Sequence, residues 1–136
     1  MDARVLRAGD PTRTLIAYAE AGSTSSADAL RARGVGLLEA PGVGGRVDLG
    51  VVLAALARRE VVSVLAEGGA ELGGALVEAG FVDRVAFFVA PRLLGGRGAP
   101  GPLGGPGRTL KDAVSLTGLS CRPVGEDLLI EGDVAA

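Results

Sequence analysis

The chain has 136 residues, of which 48% are hydrophobic, and a formal net charge of −2 at pH 7. This length suffices for one hydrophobic core, and we predict a single domain over residues 1–136. Charged residues interrupt every apolar run well short of a bilayer span, so no membrane segment is expected. The slightly negative charge likewise gives no reason to predict a nucleic-acid surface.

The absence of histidine restricts the chemistry that this chain can perform. A Ser-His-Asp triad and a histidine-based zinc site cannot be assembled from these residues. Cys121 is the single cysteine and cannot form an internal disulfide, which fits a reducing cytoplasm. Any catalysis must therefore rest on carboxylates, backbone groups or a bound cofactor.

The first third of the sequence predicts a strand, a helix and a second strand. Residues 15–18 form a short apolar run typical of a buried strand. Ser25, followed three residues later by Asp28, indicates a helix start, and Gly34 is a suitable C-terminal cap. Residues 35–38 then predict the second strand.

The middle of the chain repeats this order. Asp48 is a good N-cap for a helix. The apolar positions after it recur at helical spacing and form one stripe: Leu49, Val52, Leu53 and Leu56. Residues 61–66 are apolar and rich in β-branched side chains, which predicts a third strand. This run leads directly into Glu67.

The last part of the chain predicts a third helix, a fourth strand and a hairpin. The helix has four inward-facing positions and ends at Gly80: Leu72, Ala75, Leu76 and Ala79. A strand at 85–89 and a glycine- and proline-rich loop at 91–107 follow. Strands at 116–123 and 127–131, joined by a turn at Gly125, predict an antiparallel edge hairpin. Alternating strands and helices predict an α/β fold with a mainly parallel sheet flanked by helices.

A candidate site lies where the predicted third strand meets the third helix. Ligands of open α/β sheets bind at the carboxyl ends of the strands, and Glu67 occupies such an end. The free N–H groups of residues 69–72 would point outward from the positive helix end, which suits a diphosphate. Gly73 and Gly74 keep the helix slim, so that another element or a cofactor ring can pack against it. The alternative is a purely structural turn in which the glycines serve only sterics and Glu67 caps a helix.

Several sequence blocks, taken in order, resemble one known family. They are residues 64–76 (VLAEGGAELGGAL), 80–85 (GFVDRV), 90–96 (APRLLGG) and 125–129 (GEDLL). They resemble the reductase domain of the bifunctional riboflavin-biosynthesis deaminase–reductase, which has a dihydrofolate-reductase-like fold. The resemblance is strongest over residues 47–131.

The resemblance implies a function, a cofactor and a site. The family reduces 5-amino-6-(5-phosphoribosylamino)uracil to its ribityl product with NADPH and without a metal. The resemblance also suggests a homodimer. Glu67 would face the substrate, and a cis peptide is possible between Gly68 and Gly69. The implied cofactor-binding residues are Gly68, Gly69, Ala70, Glu71, Leu72, Gly73, Gly74 and Ala75.

The sequence also departs from the family pattern. Ala70 and Glu71 stand where the family has Pro-Thr, so that a carboxylate replaces a hydroxyl beside the expected diphosphate. The family has further strands before the point that corresponds to residue 1, and they supply a central strand and a lysine of the site. We expect neither these strands nor the zinc-binding deaminase domain within residues 1–136, so either the sequence is a fragment or the missing elements come from elsewhere. A second interpretation therefore stays open: a truncated, non-catalytic reductase-like domain that acts as an oligomerising or weak nucleotide-binding module.

Overall fold

The computed structural model describes residues 4–6, 9–20, 24–96, 98–99 and 101–135. The chain forms two compact units, Met1–Val64 and Leu65–Ala136. No helix among the described residues is long and apolar enough to cross a membrane.

The first unit contains a strand–helix–strand motif, as predicted. Strand β1 (Leu15–Tyr18) and strand β2 (Gly36–Glu39) pair in parallel, and helix α1 (Thr24–Ala32) connects them. The helix begins one residue before the predicted start at Ser25. Gly34 adopts a φ of 82°, which confirms that the chain leaves the helix in the left-handed conformation that glycine tolerates.

Helix α2 (Leu49–Ala57) completes the first unit. The carboxylate of Asp48 accepts a hydrogen bond from the Val51 N–H at 2.9 Å, which confirms the predicted N-cap. The four predicted stripe positions are all partly buried, whereas Val51 and Ala54 on the other side are exposed. The buried apolar residues of this unit are Leu6, Ala19, Val35, Ala40 and Ala55.

The strand predicted at residues 61–66 is not formed, and that prediction was wrong. A strand is defined by hydrogen bonds to a neighbour, and no described strand pairs with this segment. Its apolar side chains are accordingly exposed, Val62 to 98% and Leu65 to 81%. β-Branched composition alone does not make a strand when the ladder partner is missing.

The second unit begins with helix α3 (Ala70–Glu78). Its end matches the predicted cap: Gly80 has a φ of 70°, and the Phe81 N–H donates to the Leu76 carbonyl at 3.0 Å. Leu72 was predicted to face inward but is 40% exposed.

A three-stranded antiparallel sheet forms the rest of the second unit. Strands β3 (Arg84–Val89), β4 (Leu116–Val124) and β5 (Asp127–Val134) lie in the order β3-β5-β4. The predicted hairpin and its turn at Gly125 are confirmed. The α/β class is also confirmed. Parallel pairing is confined, among the described strands, to β1 and β2, because β3 takes the hairpin strand β5 as its partner.

Candidate functional site

Glu67 lies in the irregular segment that leads into α3, with an exposed side chain. Two glycines separate it from the first residue of the helix. An acidic side chain in this position is accessible to a ligand that approaches the N-terminus of α3.

The two glycines between Glu67 and α3 have different steric surroundings. A Cβ added to Gly68 would lie 2.6 Å from Leu72 Cδ2 and 3.0 Å from Leu72 Cβ, so glycine is needed for Leu72 to fold back over the turn. A Cβ added to Gly69 would meet nothing within 4 Å. Gly69 also has φ −74° and ψ 173°, which any residue adopts. The hypothesis of a purely structural turn therefore explains the glycine at residue 68 but gives no steric reason for the glycine at residue 69.

Gly69 is the N-cap residue of α3 and has no side chain with which to cap it. Its carbonyl accepts from the Leu72 N–H at 3.1 Å and from the Gly73 N–H at 3.2 Å, which closes the first turn. The N–H groups at the start of an α-helix have no carbonyl partner within the helix, and they carry its positive partial charge. The N-terminus of α3 thus combines outward donors with open space above Gly69.

The peptide bond between Gly68 and Gly69 is trans, and the described residues contain no cis peptide. The possible cis bond inferred from the family resemblance is therefore not found. For a peptide bond that does not precede proline, the trans form is lower in free energy than the cis form by about 2.5–4 kcal/mol.

The glycine-rich loop packs against α3, which sequence reasoning did not foresee in this form. The Gly104 N–H donates to the carbonyl of Ala70 at 2.7 Å. A Cβ added to Gly73 would lie 3.1 Å from Leu103 Cδ2, and one at Gly74 would overlap the backbone of Gly104. The prediction that another element packs closely against α3 at these two glycines is confirmed, and that element is the glycine-rich loop. Two adjacent glycines inside a helix were the sequence feature that indicated a close approach.

An ion pair joins the end of this loop to the other end of α3. The Arg108 guanidinium lies 3.1 Å from the carboxylate of Glu78, and both side chains are partly exposed. A cleft of about 650 Å³ opens beside this pair, lined also by Asp83 and Asp112. This cleft lies at the C-terminal end of α3, and Glu67 is not among the residues that line it. No group of three acidic or cysteine side chains among the described residues could hold a metal ion.

The architecture matches that of solved reductase-type proteins. RibD of Acinetobacter baumannii superposes with a TM-score of 0.78 at 21% identity over 98% of this chain and 34% of that protein. A pyrimidine reductase-like protein of Corynebacterium diphtheriae superposes with a TM-score of 0.64 at 22% identity, over 90% of this chain and 50% of that protein. The chain therefore has an α/β fold of the pyrimidine-reductase type.

The particular family follows from the sequence comparisons. The family model described as the RibD C-terminal domain matches residues 1–130, and the chain belongs to that family. RibD of Actinobacillus pleuropneumoniae is 33% identical over 132 residues, which are 96% of this chain and 35% of that protein. A 2,5-diamino-6-ribosylamino-4(3H)-pyrimidinone 5′-phosphate reductase of Methanothermobacter thermautotrophicus is 34% identical over 87 residues, 63% of this chain and 40% of that protein. The chain spans about a third of the length of the first of these relatives.

Proposed function

We propose that this chain provides the NADPH-dependent reductase function of its family, acting on 5-amino-6-(5-phosphoribosylamino)uracil in riboflavin biosynthesis. The observation that carries the proposal is the open N-terminus of α3 at Gly69, two residues after the exposed carboxylate of Glu67. Family membership supplies the reaction class. The names of the relatives, a riboflavin biosynthesis protein and a pyrimidinone phosphate reductase, support the substrate class.

The residues at the start of α3 fit the diphosphate of a dinucleotide. Backbone N–H groups at a helix N-terminus bind phosphate through directed donors and the helix dipole together. Of the sequence-predicted set, Gly69, Ala70 and Glu71, at the start of α3, are proposed to contact the diphosphate directly, whereas Gly74 lies against the loop. NADPH, when bound, supplies the hydride that converts the ribosyl group to a ribityl chain. The protein's part is to orient the two reactants and to exclude water.

Glu67 is proposed to hold the pyrimidine. A carboxylate accepts hydrogen bonds from the amino and ring N–H groups of an aminopyrimidine, which fixes the sugar relative to the cofactor. Glu67→Ala should therefore abolish NADPH oxidation in the presence of substrate and leave the Kd for NADPH nearly unchanged. A large loss of NADPH affinity in this variant would contradict the placement of Glu67 at the substrate.

The choice of substrate is tested in the same assay. NADPH oxidation is followed with 5-amino-6-(5-phosphoribosylamino)uracil and, separately, with the corresponding 2,5-diaminopyrimidinone. Faster turnover of the uracil supports the proposal, and exclusive turnover of the diaminopyrimidinone would assign the other intermediate. Turnover of neither compound by a chain that binds NADPH would contradict a catalytic role for this chain.

A second candidate is a non-catalytic module that oligomerises or binds nucleotide weakly. The exposed apolar residues at the end of the first unit favour it, because Val62 and Val64 would gain from burial against another chain. We also propose a homodimer and a cytoplasmic location, the latter supported by the single, exposed Cys121. Sedimentation equilibrium tests the assembly: a dimer that weakens in Val62→Ser supports this surface, and a strict monomer contradicts it.

A further inference from the structure

The backbone of the glycine-rich loop touches the backbone of α3 with no side chain between them. A Cβ added to Gly74 would lie 2.7 Å from the carbonyl carbon of Gly104 and 3.1 Å from its nitrogen. Real Cβ atoms essentially never approach other heavy atoms within 3.0 Å. A side chain at residue 74 therefore requires the loop backbone or the helix backbone to shift, which costs more than the movement of a flexible side chain.

The same contact lies beside the start of α3. The Gly104 N–H donates to the Ala70 carbonyl, in the first turn, at 2.7 Å. A Cβ added to Gly104 would lie 2.8 Å from Glu71 Oε1 and 3.1 Å from the carbonyl carbon of Ala70. The loop thus borders the surface where the proposed diphosphate contacts begin. Both elements contribute a glycine to this contact, Gly104 from the loop and Gly74 from α3.

A loop of this composition needs such an attachment. Residues 91–107 contain seven glycines and four prolines, and the described part has no helix or strand. Glycine loses more backbone freedom on ordering than any other residue, so a free loop would have to be ordered at the moment of ligand binding. A loop already attached to α3 spares the ligand this cost.

We propose that Gly74 and Gly104 are positioning residues, which attach the glycine-rich loop to α3 as a preformed wall of the cofactor site and thereby set the affinity for the dinucleotide. This inference rests on the proposed function, since it assigns the loop to the same NADPH site. If a variant lowers the attached population to one-tenth, the apparent Kd rises about tenfold. Binding and attachment are linked, so NADPH must also stabilise the attached loop.

Hydrogen exchange at the Gly104 amide measures the attachment directly. The matched pair is Gly74→Ala and Gly73→Ala: both add one methyl group to adjacent helical positions. At Gly73 the nearest atom is the tip of Leu103, 3.1 Å away on a flexible side chain. We expect Gly74→Ala to lose protection of the Gly104 amide and Gly73→Ala to retain it. Equal protection in the two variants, whether kept or lost, contradicts the inference.

NADPH titrations then test the functional consequence. Gly74→Ala, and independently Gly104→Ala, should weaken NADPH binding about tenfold or more, with α3 retained by circular dichroism. In the unmodified chain, saturating NADPH should slow exchange of the Gly104 amide, a measurement that needs no variant. An unchanged Kd in both variants, or no effect of bound NADPH on this amide, overturns the inference. Failure of the proposed function is distinguishable, because the unmodified chain would then not bind NADPH at all.

Discussion

Glu71 gives the sharpest prediction, because the same change should move stability and cofactor affinity in opposite directions. It lies in the first turn of α3, where a carboxylate interacts favourably with the helix dipole. The proposed diphosphate would bind to N–H groups of that same turn. Glu71→Gln removes the charge and keeps the length of the side chain.

The magnitudes follow from charge and distance. Loss of the dipole interaction should lower the free energy of unfolding by about 0.3–1 kcal/mol. If the diphosphate binds with each of its two charges about 6 Å from this carboxylate, the total repulsion is roughly 1 kcal/mol at an aqueous dielectric constant and moderate salt. Removing this repulsion should lower the Kd for NADPH about fivefold.

The assay is an NADPH titration of the unmodified chain and of Glu71→Gln at low and high salt, with thermal unfolding in parallel. Glu126→Gln is the matched variant, because it removes the same charge from the exposed turn between β4 and β5, away from α3. We expect a gain in affinity for Glu71→Gln alone, which shrinks as salt rises. An unchanged or higher Kd at low salt, or an equal gain in Glu126→Gln, would refute the placement of the diphosphate.

Three further predictions concern the first unit. Asp48→Ala should lower the free energy of unfolding by about 1 kcal/mol. Asp48→Asn should lower it much less, because the side chains of aspartate and asparagine can both cap α2. Chemical denaturation measures the free energy of unfolding of both variants. Glu60 has a φ of 62°, in the left-handed region. Replacing it with glycine should raise the free energy of unfolding by roughly 1 kcal/mol, whereas alanine should not, since only glycine relieves the strain. Hydrogen bonds from the Thr12 hydroxyl and then the Thr12 N–H lower the pKa of Asp10. The resulting stabilisation is present above the ordinary aspartate pKa and is lost as the pH falls through the lowered value. Thr12→Val should raise this pKa in a carboxyl-carbon NMR titration; an unchanged value would contradict the assigned cause.

Local signals in the sequence predicted most helices and strands. Asp48 and Gly80 mark the limits of helices through interactions within a few residues, which depend little on the rest of the chain. The hairpin at Gly125 was predictable for the same reason, since a tight turn and two flanking strands form one local unit.

The features that sequence did not predict depend on distant partners. Residues 61–66 have strand composition, but pairing requires a neighbour that local pattern cannot supply. The loop contact at Gly104 joins residues about thirty positions apart, and the adjacent glycines of α3 showed only that something could approach. Glu67 was predicted to follow a strand that is not formed, and its role as a site residue stays a prediction. The different steric surroundings of Gly68 and Gly69 could not be read from the sequence.

The most direct test of the central claim is calorimetric binding of NADPH to this chain, with NADH for comparison and with Gly69→Asp and Gly69→Ala as variants. Aspartate fits at residue 69 without steric conflict and is a good N-cap, so α3 should be retained while the new carboxylate repels the diphosphate. We predict saturable binding in the micromolar range that Gly69→Asp abolishes and that Gly69→Ala reduces less. No binding to the unmodified chain at millimolar NADPH, or equal binding to Gly69→Asp, would contradict a cofactor site at the N-terminus of α3.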